Sequence, residues 1–350
     1  MEQRNSLMLL SGILLTTVTL IGCASTWKPH EEHAPRDIQW PDHTGKARIR
    51  HLRTITGFEE TGTSASSLFR YIVFGSNGKN NLIRPVAAAT GPDGRLAIAD
   101  SGGRCVHLYV PSTGHYHRIY HAGSGDLQSP VSVVFDDALR LYVSDSARSS
   151  VEVFDEQGRH LFSITRAGER TLKRPTGLAY ASGRNMLYVA DALAHRIYAF
   201  DTAGNMLFSI GGRGVGSGAF NFPTHLYATP AGRLYVSDSL NFMVQVFDPS
   251  GVFLSSFGRH GDGSGDFAMP KGIAVDKDGI IYVVDSLFDN VQLFSEKGAF
   301  LFTLGEQGTG HGEFWLPSGI SFDNHGLLTV CDSYNQRIQI FEIIQDHAHE

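Results

Sequence analysis

The sequence predicts an all-β fold, a six-bladed β-propeller of four-stranded antiparallel blades, from a repeat that fills most of its 350 residues. The heptapeptide RLYVSDS occurs at Arg140–Ser146 and, 93 residues later, at Arg233–Ser239. A motif of two apolar residues, a small residue and Asp recurs at intervals of 45, 46, 47, 47 and 47 residues. A proline precedes each copy, and an aromatic residue follows each Asp by nine positions. The repeat aspartates are Asp100, Asp145, Asp191, Asp238, Asp285 and Asp332.

Each repeat contains short runs that are typical of strands. In the fifth copy these runs read GIAVD, IIYVVDS, VQLFS and FLFTLG, and the residues between them read KDG, LFDN and EKG. Val, Ile, Phe and Tyr favour half-buried strands, whereas Asp, Asn and Gly favour tight turns. Four antiparallel strands per unit, repeated around an axis, form the blades of a propeller.

The two ends of the repeat region predict how the ring closes. The last repeat stops after its third strand, at RIQIFEII, and Ser67–Gly78 upstream of the first repeat has the form of a fourth strand followed by an inter-blade loop. Ser67–Phe74 is therefore predicted to complete the last blade, which removes the open sheet edges that invite aggregation.

The sixth repeat resembles a complete NHL repeat. Its residues LPSGISFDNHGLLTVC followed by DSYNQRIQIF match the pattern of that family, and the resemblance extends over roughly Ile49 to Ile344. The Arg of the pattern is kept at Arg196 and Arg337, whereas Met243 and Asn290 stand at the same register in other repeats. The resemblance implies a propeller of the NHL type.

The N-terminus predicts export and lipid attachment. LMLLSGILLTTVTLIG runs for 16 residues without a charge, which is shorter than the ~20 residues that span a bilayer. It ends in Leu20-Ile21-Gly22-Cys23, which resembles a bacterial lipobox, so Cys23 is expected to carry acyl chains such as palmitate. The absence of Asp after Cys23 favours the outer membrane by the same resemblance. An ordinary secretory signal with a coincidental Cys is the alternative.

These observations predict four segments. Residues 1–22 form a lipoprotein signal peptide, 23–46 a flexible tether, 47–345 the propeller and 346–350 a disordered tail. The formal net charge of −6 argues against nucleic acid as a partner, because nucleic-acid binding needs a basic patch. Cys105 and Cys331 fall on different strands of neighbouring blades and are expected to be unpaired, with a disulfide between them as the alternative.

Most residues that suggest chemistry have a structural interpretation. The repeat aspartates precede turns, where a carboxylate can bind backbone N–H groups. The glycine-rich loops GGRGVGSGAF, GRHGDGSGDF and GEQGTGHGEF run into strands and not into a helix, so they are predicted to be inter-blade crossings and not phosphate-binding loops. DKDG and DGSGD only partly match calcium-binding loops.

The alternative to a binding protein is a metal-dependent lyase or hydrolase with its site in the central channel, as in lyase-like relatives of NHL propellers. Two residues after the six prolines stand Ala87, Ser132, Gly177, His225, Gly272 and Gly319, so His225 is the candidate channel or ligand residue. His115 and His117 are weak metal candidates, because zinc takes three protein ligands. No cofactor is expected, with calcium or zinc kept as the alternative.

The sequence thus predicts a lipid-anchored cell-envelope protein that presents a rigid disc to protein partners and is not an enzyme. The resemblance implies envelope partners such as multihaem cytochromes or export components. The membrane is contacted through the lipid anchor.

The lipobox interpretation predicts that Cys23→Ser moves the protein from the membrane fraction to a soluble or unprocessed form, because two or three acyl chains are needed for stable anchoring. Fractionation of cells followed by immunoblotting measures the change. Membrane association of the variant that still requires detergent for release would contradict the interpretation.

Overall fold

The computed structural model describes residues 26–41, 48–61, 79–123 and 125–344, which form a β-propeller. Five consecutive blades are four-stranded antiparallel sheets in which neighbouring strands follow one another along the chain. Within the described residues, no helix is long and apolar enough to cross a membrane. The strands, blade by blade, are Pro85–Thr90, Leu96–Asp100, Cys105–Val110 and His115–Ile119; Pro130–Phe135, Leu141–Asp145, Ser150–Phe154 and His160–Ile164; Pro175–Ala181, Met186–Asp191, Arg196–Asp201 and Met206–Ile210; Pro223–Ala228, Leu234–Asp238, Met243–Phe247 and Phe253–Phe257; Pro270–Val275, Ile281–Asp285, Asn290–Phe294 and Phe300–Leu304.

Several short elements lie outside the main strands of the blades. Two small hairpins pair His121–Ala122 with Gly125–Asp126 and Arg166–Ala167 with Arg170–Thr171. Single 3₁₀ turns occur at Ser182–Arg184 and Ser239–Asn241. Four strands precede blade 1 in the chain: β1 (Thr26–Glu32), β2 (Gln39–Trp40), β3 (Ile49–Thr61) and β4 (Lys79–Asn81).

The sixth blade is closed by an N-terminal strand, as the sequence predicts. Its own strands are Ile320–Phe322, Leu327–Asp332 and Arg337–Ile343, and β3 pairs antiparallel with the last of them, from Ile49 opposite Ile343 to Ile55 opposite Ile338. The hydroxyl of Ser333 donates to the carbonyl oxygen of Pro85 at 2.7 Å and so links blade 6 to blade 1. The ring therefore has six blades.

The predicted position of the closing strand is wrong. Ser67–Phe74 lies outside the described residues, and β3 occupies the edge that it was expected to fill. The β3 strand also supplies the apolar side chain that the inter-blade loops supply elsewhere. Phe58 packs against Tyr109 with ring centroids 5.4 Å apart, as Phe314 packs against Phe341 at 6.0 Å.

The predicted flexible tether is also wrong for much of its length. Thr26–Glu32 pairs with the outer edge of β3, and Gln39–Trp40 pairs with the start of β3. Trp27 packs against Tyr116 of blade 1 with ring centroids 4.9 Å apart, and its backbone N–H donates to the carbonyl of Gly114. The prolines and mixed charges of this stretch suggest a tether, but the open edge of β3 and the two tryptophans provide bonds and apolar contacts.

A histidine pair lies at the seam between β3 and blade 6. His51 is 5% exposed, its Nε2 lies 3.1 Å from the hydroxyl of Thr54, and that hydroxyl lies 3.2 Å from Nδ1 of His311. The pKa of His51 is lowered to about 4, chiefly by burial and then by interactions with His311, Arg337 and His33. The seam is therefore built around a neutral imidazole.

A truncated chain that begins at Asn77 is expected to lose cooperative unfolding and to aggregate, because the third strand of blade 6 then has an open edge. A chain that begins at Ala47 keeps β3 and is expected to fold, with Tm lower by about 5 °C from the loss of β1, that is, of about 2 kcal/mol. Thermal melting and light scattering measure both effects. Equal melting curves for the two truncated chains would contradict closure by β3.

The seam also predicts acid sensitivity. His51 binds a proton more weakly in the folded state, where its pKa is about 4, than in the unfolded chain, where its pKa is about 6.5. The free energy of unfolding is therefore unaffected by this group above about pH 6.5 and decreases as pH falls toward about 4. Between pH 7 and pH 4.5 the wild-type protein should lose about 2–3 kcal/mol more stability than His51→Gln. Urea unfolding at the two pH values measures this. Exposed His325→Gln is the control, and a loss that is equal in wild type and His51→Gln would contradict the assignment.

Candidate functional site

Each repeat aspartate is a buried carboxylate at the end of a second strand. Asp145 accepts hydrogen bonds from the backbone N–H groups of Gln128 and Ser129 at 2.6 and 3.0 Å, and from Arg148 in the following turn at 3.1 Å. In the same way, the backbone N–H groups of the two residues before the proline both donate to Asp100, Asp191 and Asp285. At Asp238 and Asp332 only the first of the two residues donates its backbone N–H. The structural role predicted for these residues is confirmed.

The donors around each carboxylate decide its pKa. Burial raises the pKa of Asp238 to about 6, although Asn221, Asn241 and Gln245 donate hydrogen bonds to it. At Asp100 the effect of burial is outweighed by hydrogen bonds from His107 and from backbone N–H groups, and the pKa is lowered to about 2. Because these carboxylates are enclosed by their own blades, they are poorly placed for proton transfer to a substrate.

A second repeated residue, seven positions after the aspartate, holds the glycine-rich loops. Gln245 accepts a hydrogen bond from the N–H of Gly218 at 2.9 Å and donates to the carbonyl of Ala219 at 2.7 Å. Gln292 and Gln339 bind the next two loops in the same way. These loops are inter-blade crossings, as predicted. The glutamines were missed by sequence reasoning, although their regular 47-residue spacing is visible.

The first strands of the blades surround a central channel with a cavity of about 260 Å³. The blades approach one another closely here, since a Cβ atom on Gly177 would lie 2.6 Å from the carbonyl oxygen of Thr224, and one on Gly319 would lie 2.5 Å from that of Val86. His225 occupies the equivalent position in blade 4 and lines the channel.

His225 is a neutral polar group in the channel wall. Its Nδ1 lies 3.1 Å from the hydroxyl of Thr224, which lies 2.5 Å from the hydroxyl of Ser239. The Ser239 hydroxyl in turn donates to the carbonyl of Pro270 at 2.6 Å. Burial lowers the pKa of His225 to about 3, and the charge of Lys271 acts in the same direction. The imidazole is therefore an uncharged hydrogen-bonding group at neutral pH.

The other predicted metal candidates lie away from the channel. His115 and His117 are on the outermost strand of blade 1, with ring centroids 5.3 Å apart. Burial lowers the pKa of His117, and His115 adds to the effect. Among the residues that the structure describes, no three His, Cys, Asp or Glu side chains are grouped as a metal site. Cys23, the predicted lipid attachment site, lies outside those residues.

The remaining cysteines are free and buried. Cys105 lies 3.6 Å from Nε2 of His107, and the same nitrogen lies 3.3 Å from Asp100. Burial, with the negative charge of Asp100 as the second cause, raises the pKa of Cys105 to about 12. This cysteine–histidine–aspartate cluster therefore holds a thiol and not a reactive thiolate at neutral pH.

A larger groove lies at the end of the propeller that carries the turns between first and second strands. Its volume is about 720 Å³, and it is lined by the blade 5 turn Asp276–Asp278, the blade 6 turn Asp323–Gly326, Arg50 and Glu342. It opens beside Ile344, the last described residue. The groove lining mixes acidic and basic side chains.

The opposite end of the propeller exposes large apolar side chains. We define the mouth face as the end where the first strands begin and where the turns between second and third strands lie. Backbone hydrogen bonds join these parts within a blade, as from Ala192 to Arg174 and from Tyr334 to Trp315. Six apolar residues on this face are 41–53% exposed. They are Ile83, Leu193, Leu240, Leu287, Trp315 and Tyr334.

Comparison with known proteins agrees with the fold. A sequence family described as a 6-bladed beta-propeller matches residues 227–288 and 277–345. A streptogramin B lyase structure is similar with a TM-score of 0.57 and 10% identity, over 75% of this chain and 94% of that chain. An auxiliary nutrient binding protein from Bacteroides thetaiotaomicron has a TM-score of 0.58 and 11% identity, over 75% and 70% of the two chains. Hydrazine synthase from Kuenenia stuttgartiensis has a TM-score of 0.52 and 18% identity, over 74% and 76%.

No curated protein sequence matches the chain significantly. The predicted β-propeller is confirmed, and the resemblance of the repeats to NHL repeats is consistent with it. At these identities the similar structures establish the fold alone, because one fold carries many functions.

Proposed function

We propose that this protein is a lipid-anchored binding or scaffold protein of the bacterial cell envelope that holds a protein partner on one face of the propeller. The observation that carries the proposal is the mouth face. Its six large apolar side chains are exposed either two residues after a repeat aspartate or two residues before a repeat proline, where they contribute little to the core. Exposed apolar residues concentrated on one face are typical of interaction sites.

The chemistry of the described residues supports binding over catalysis. The six repeat aspartates hold backbone N–H groups, Cys105 is a buried thiol of high pKa, and His225 is a single neutral imidazole. A rigid scaffold that presents loops is suited to recognition. One protein of the same fold is described as an auxiliary nutrient binding protein, which is in line with a binding role.

The proposed location follows from the N-terminal sequence. Lipidation of Cys23 would anchor the protein in the membrane, and the residues after Cys23 favour the outer membrane of the envelope. The proposed partners are therefore envelope proteins, with multihaem cytochromes and export components as the first to test. Nucleic acid is not among the proposed partners of this exported chain.

A second candidate is a metal-dependent lyase or hydrolase with its site in the central channel. His225 favours it, because this histidine lines the channel cavity. A streptogramin B lyase also has this fold. Zinc normally takes three protein ligands and a water, however, and a single imidazole does not hold it tightly.

Metal analysis separates the two candidates. The full-length protein purified in detergent is expected to contain far less than about one equivalent of zinc or calcium. His225→Gly should keep its stability to within about 1 kcal/mol, because three other blades have Gly at this position and the substitution removes no core side chain. Elemental analysis and thermal melting are the measurements.

The control for this experiment is His115→Ala on the outer strand of blade 1, which changes an exposed histidine outside the channel. A wild-type protein that retains about one equivalent of metal, lost in His225→Gly and kept in His115→Ala, would favour the channel enzyme over the binding protein.

A further inference from the structure

The exposed residues of the mouth face fall into two sectors. The apolar sector consists of Leu193, Leu240, Leu287, Trp315 and Tyr334, which lie on blades 3 to 6. Trp315 and Tyr334 contact each other, with ring centroids 5.8 Å apart. The cationic sector, on blades 1 and 3, consists of the exposed residues Arg84, Arg104, Lys173 and Arg174. Ile83 of blade 1 joins the two sectors.

The segments that form the cationic sector contain no exposed carboxylate among the described residues. In the segments before the first strands and in the turns between second and third strands, the carboxylates are the six buried repeat aspartates and Asp289, which is 5% exposed. Exposed carboxylates occur in the inter-blade loops, at Asp126, Glu169, Asp262 and Glu306. Of the two beside the cationic sector, Asp126 pairs with His121. Glu169 lies in a hairpin that also carries the exposed residues Arg166 and Arg170, so the sector keeps a net positive charge. The chain as a whole has a formal charge of −6, so this positive sector runs against its overall charge.

We propose that the mouth face binds a protein whose surface carries an apolar patch beside a cluster of exposed Asp and Glu residues. The inference rests on the proposed function and names the face and the chemistry of the partner. The apolar sector supplies an aromatic pair and leucines of the kind that form the centre of an interface. The cationic sector sets the orientation of the partner and speeds its encounter.

The separation of the two sectors favours a protein over a membrane surface. A bilayer is laterally uniform, so a membrane-binding face should place cations around all of its apolar residues, and blades 4 and 5 have exposed leucines without an exposed cation in the same segments. The first described residue, Thr26, lies beside Gly114 in the turn between the third and fourth strands of blade 1. That turn is at the end of the blade opposite the mouth face.

Lipidation of Cys23 would therefore direct the mouth face away from the bilayer. Only three residue steps separate Cys23 from Thr26, which at full extension is about 10 Å. The anchor would hold the opposite end of blade 1 near the headgroups and leave the mouth face open to a protein.

A second set of exposed leucines provides a matched control. Leu161, Leu207, Leu254 and Leu301 are 38–50% exposed on the outermost strands of blades 2 to 5. They lie farther from the propeller axis than the turns of the mouth face, so neighbouring members are more widely separated. No exposed aromatic pair accompanies them among the described contacts.

The experiment uses the full-length protein in its native host. The photoreactive residue p-benzoylphenylalanine replaces either Leu240 on the mouth face or Leu207 on the outermost strand of blade 3. The Leu240 position is expected to give one discrete protein adduct and the Leu207 position none. The isolated partner should bind the double variant Lys173→Glu, Arg174→Glu about tenfold more weakly than wild type. As a control, it should bind the double variant Lys277→Glu, Lys297→Glu as tightly as wild type. These exposed lysines lie in blade 5 turns at the end of the propeller opposite the mouth face.

The outcomes distinguish this inference from the proposed function. Protein adducts at Leu207 and not at Leu240 would overturn the inference but leave the proposed binding function intact. The same conclusion would follow if the partner cross-linked at Leu240 bound the Lys173→Glu, Arg174→Glu variant as tightly as wild type. Protein adducts at neither position would overturn both. Binding of Cys23→Ser protein to vesicles of phosphatidylethanolamine and phosphatidylglycerol that is lost in Leu240→Ser would replace the protein partner with a membrane.

Discussion

The whole disc depends on one repeated interaction, the hydrogen bonding of a buried aspartate to the chain that leads into its own blade. Each carboxylate binds N–H groups just before the proline, and most also bind the turn after the second strand. A buried carboxylate is stable only when several donors surround it, so the interaction forms in a single geometry. It fixes where the first strand starts and where the turn projects. The shape of the mouth face is therefore a consequence of six carboxylates that the solvent does not reach.

Closure of the ring places a different demand on the chain. Blades 1 to 5 take all four strands from one continuous segment, but blade 6 must recruit its fourth strand from β3, which precedes blade 1 in sequence. The β3 strand meets this demand by forming hydrogen bonds with Arg337–Ile343 on one edge and with β1 on the other. This long-range pairing should weaken at acidic pH, because protonation of the buried His51 near His311 and Arg337 is unfavourable in the folded state. The seam is thus the part of the ring whose stability depends most on pH.

The sequence was sufficient to predict the six blades, because the fold repeats its Pro, Asp and aromatic positions at nearly constant spacing. It also led to His225 in the channel, by counting from the proline. It misplaced the closing strand, because β3 lacks the apolar-Gly ending of the fourth strands of blades 3 to 5 and is recognised only by its pairing. Strand β1 was missed for a related reason: Pro29 and the charges around it suit an edge strand as well as a tether. The mouth face was overlooked although Leu193, Leu240, Leu287 and Tyr334 each lie two residues after a repeat aspartate.

The balance between structural and functional residues explains why one fold supports both enzymes and binding proteins. In this chain the polar residues of the repeat hold turns and loops, as Asp238, Gln245 and Arg337 illustrate. What varies from blade to blade without disturbing those bonds is the exposed residue two positions after the aspartate. Such positions can become apolar at little loss of stability, and a rigid backbone then holds them in place before a partner arrives. Because less conformational entropy is lost on binding to a preorganised surface, the same hydrogen bonds that stabilise the disc would also favour the proposed binding of a partner at its mouth face.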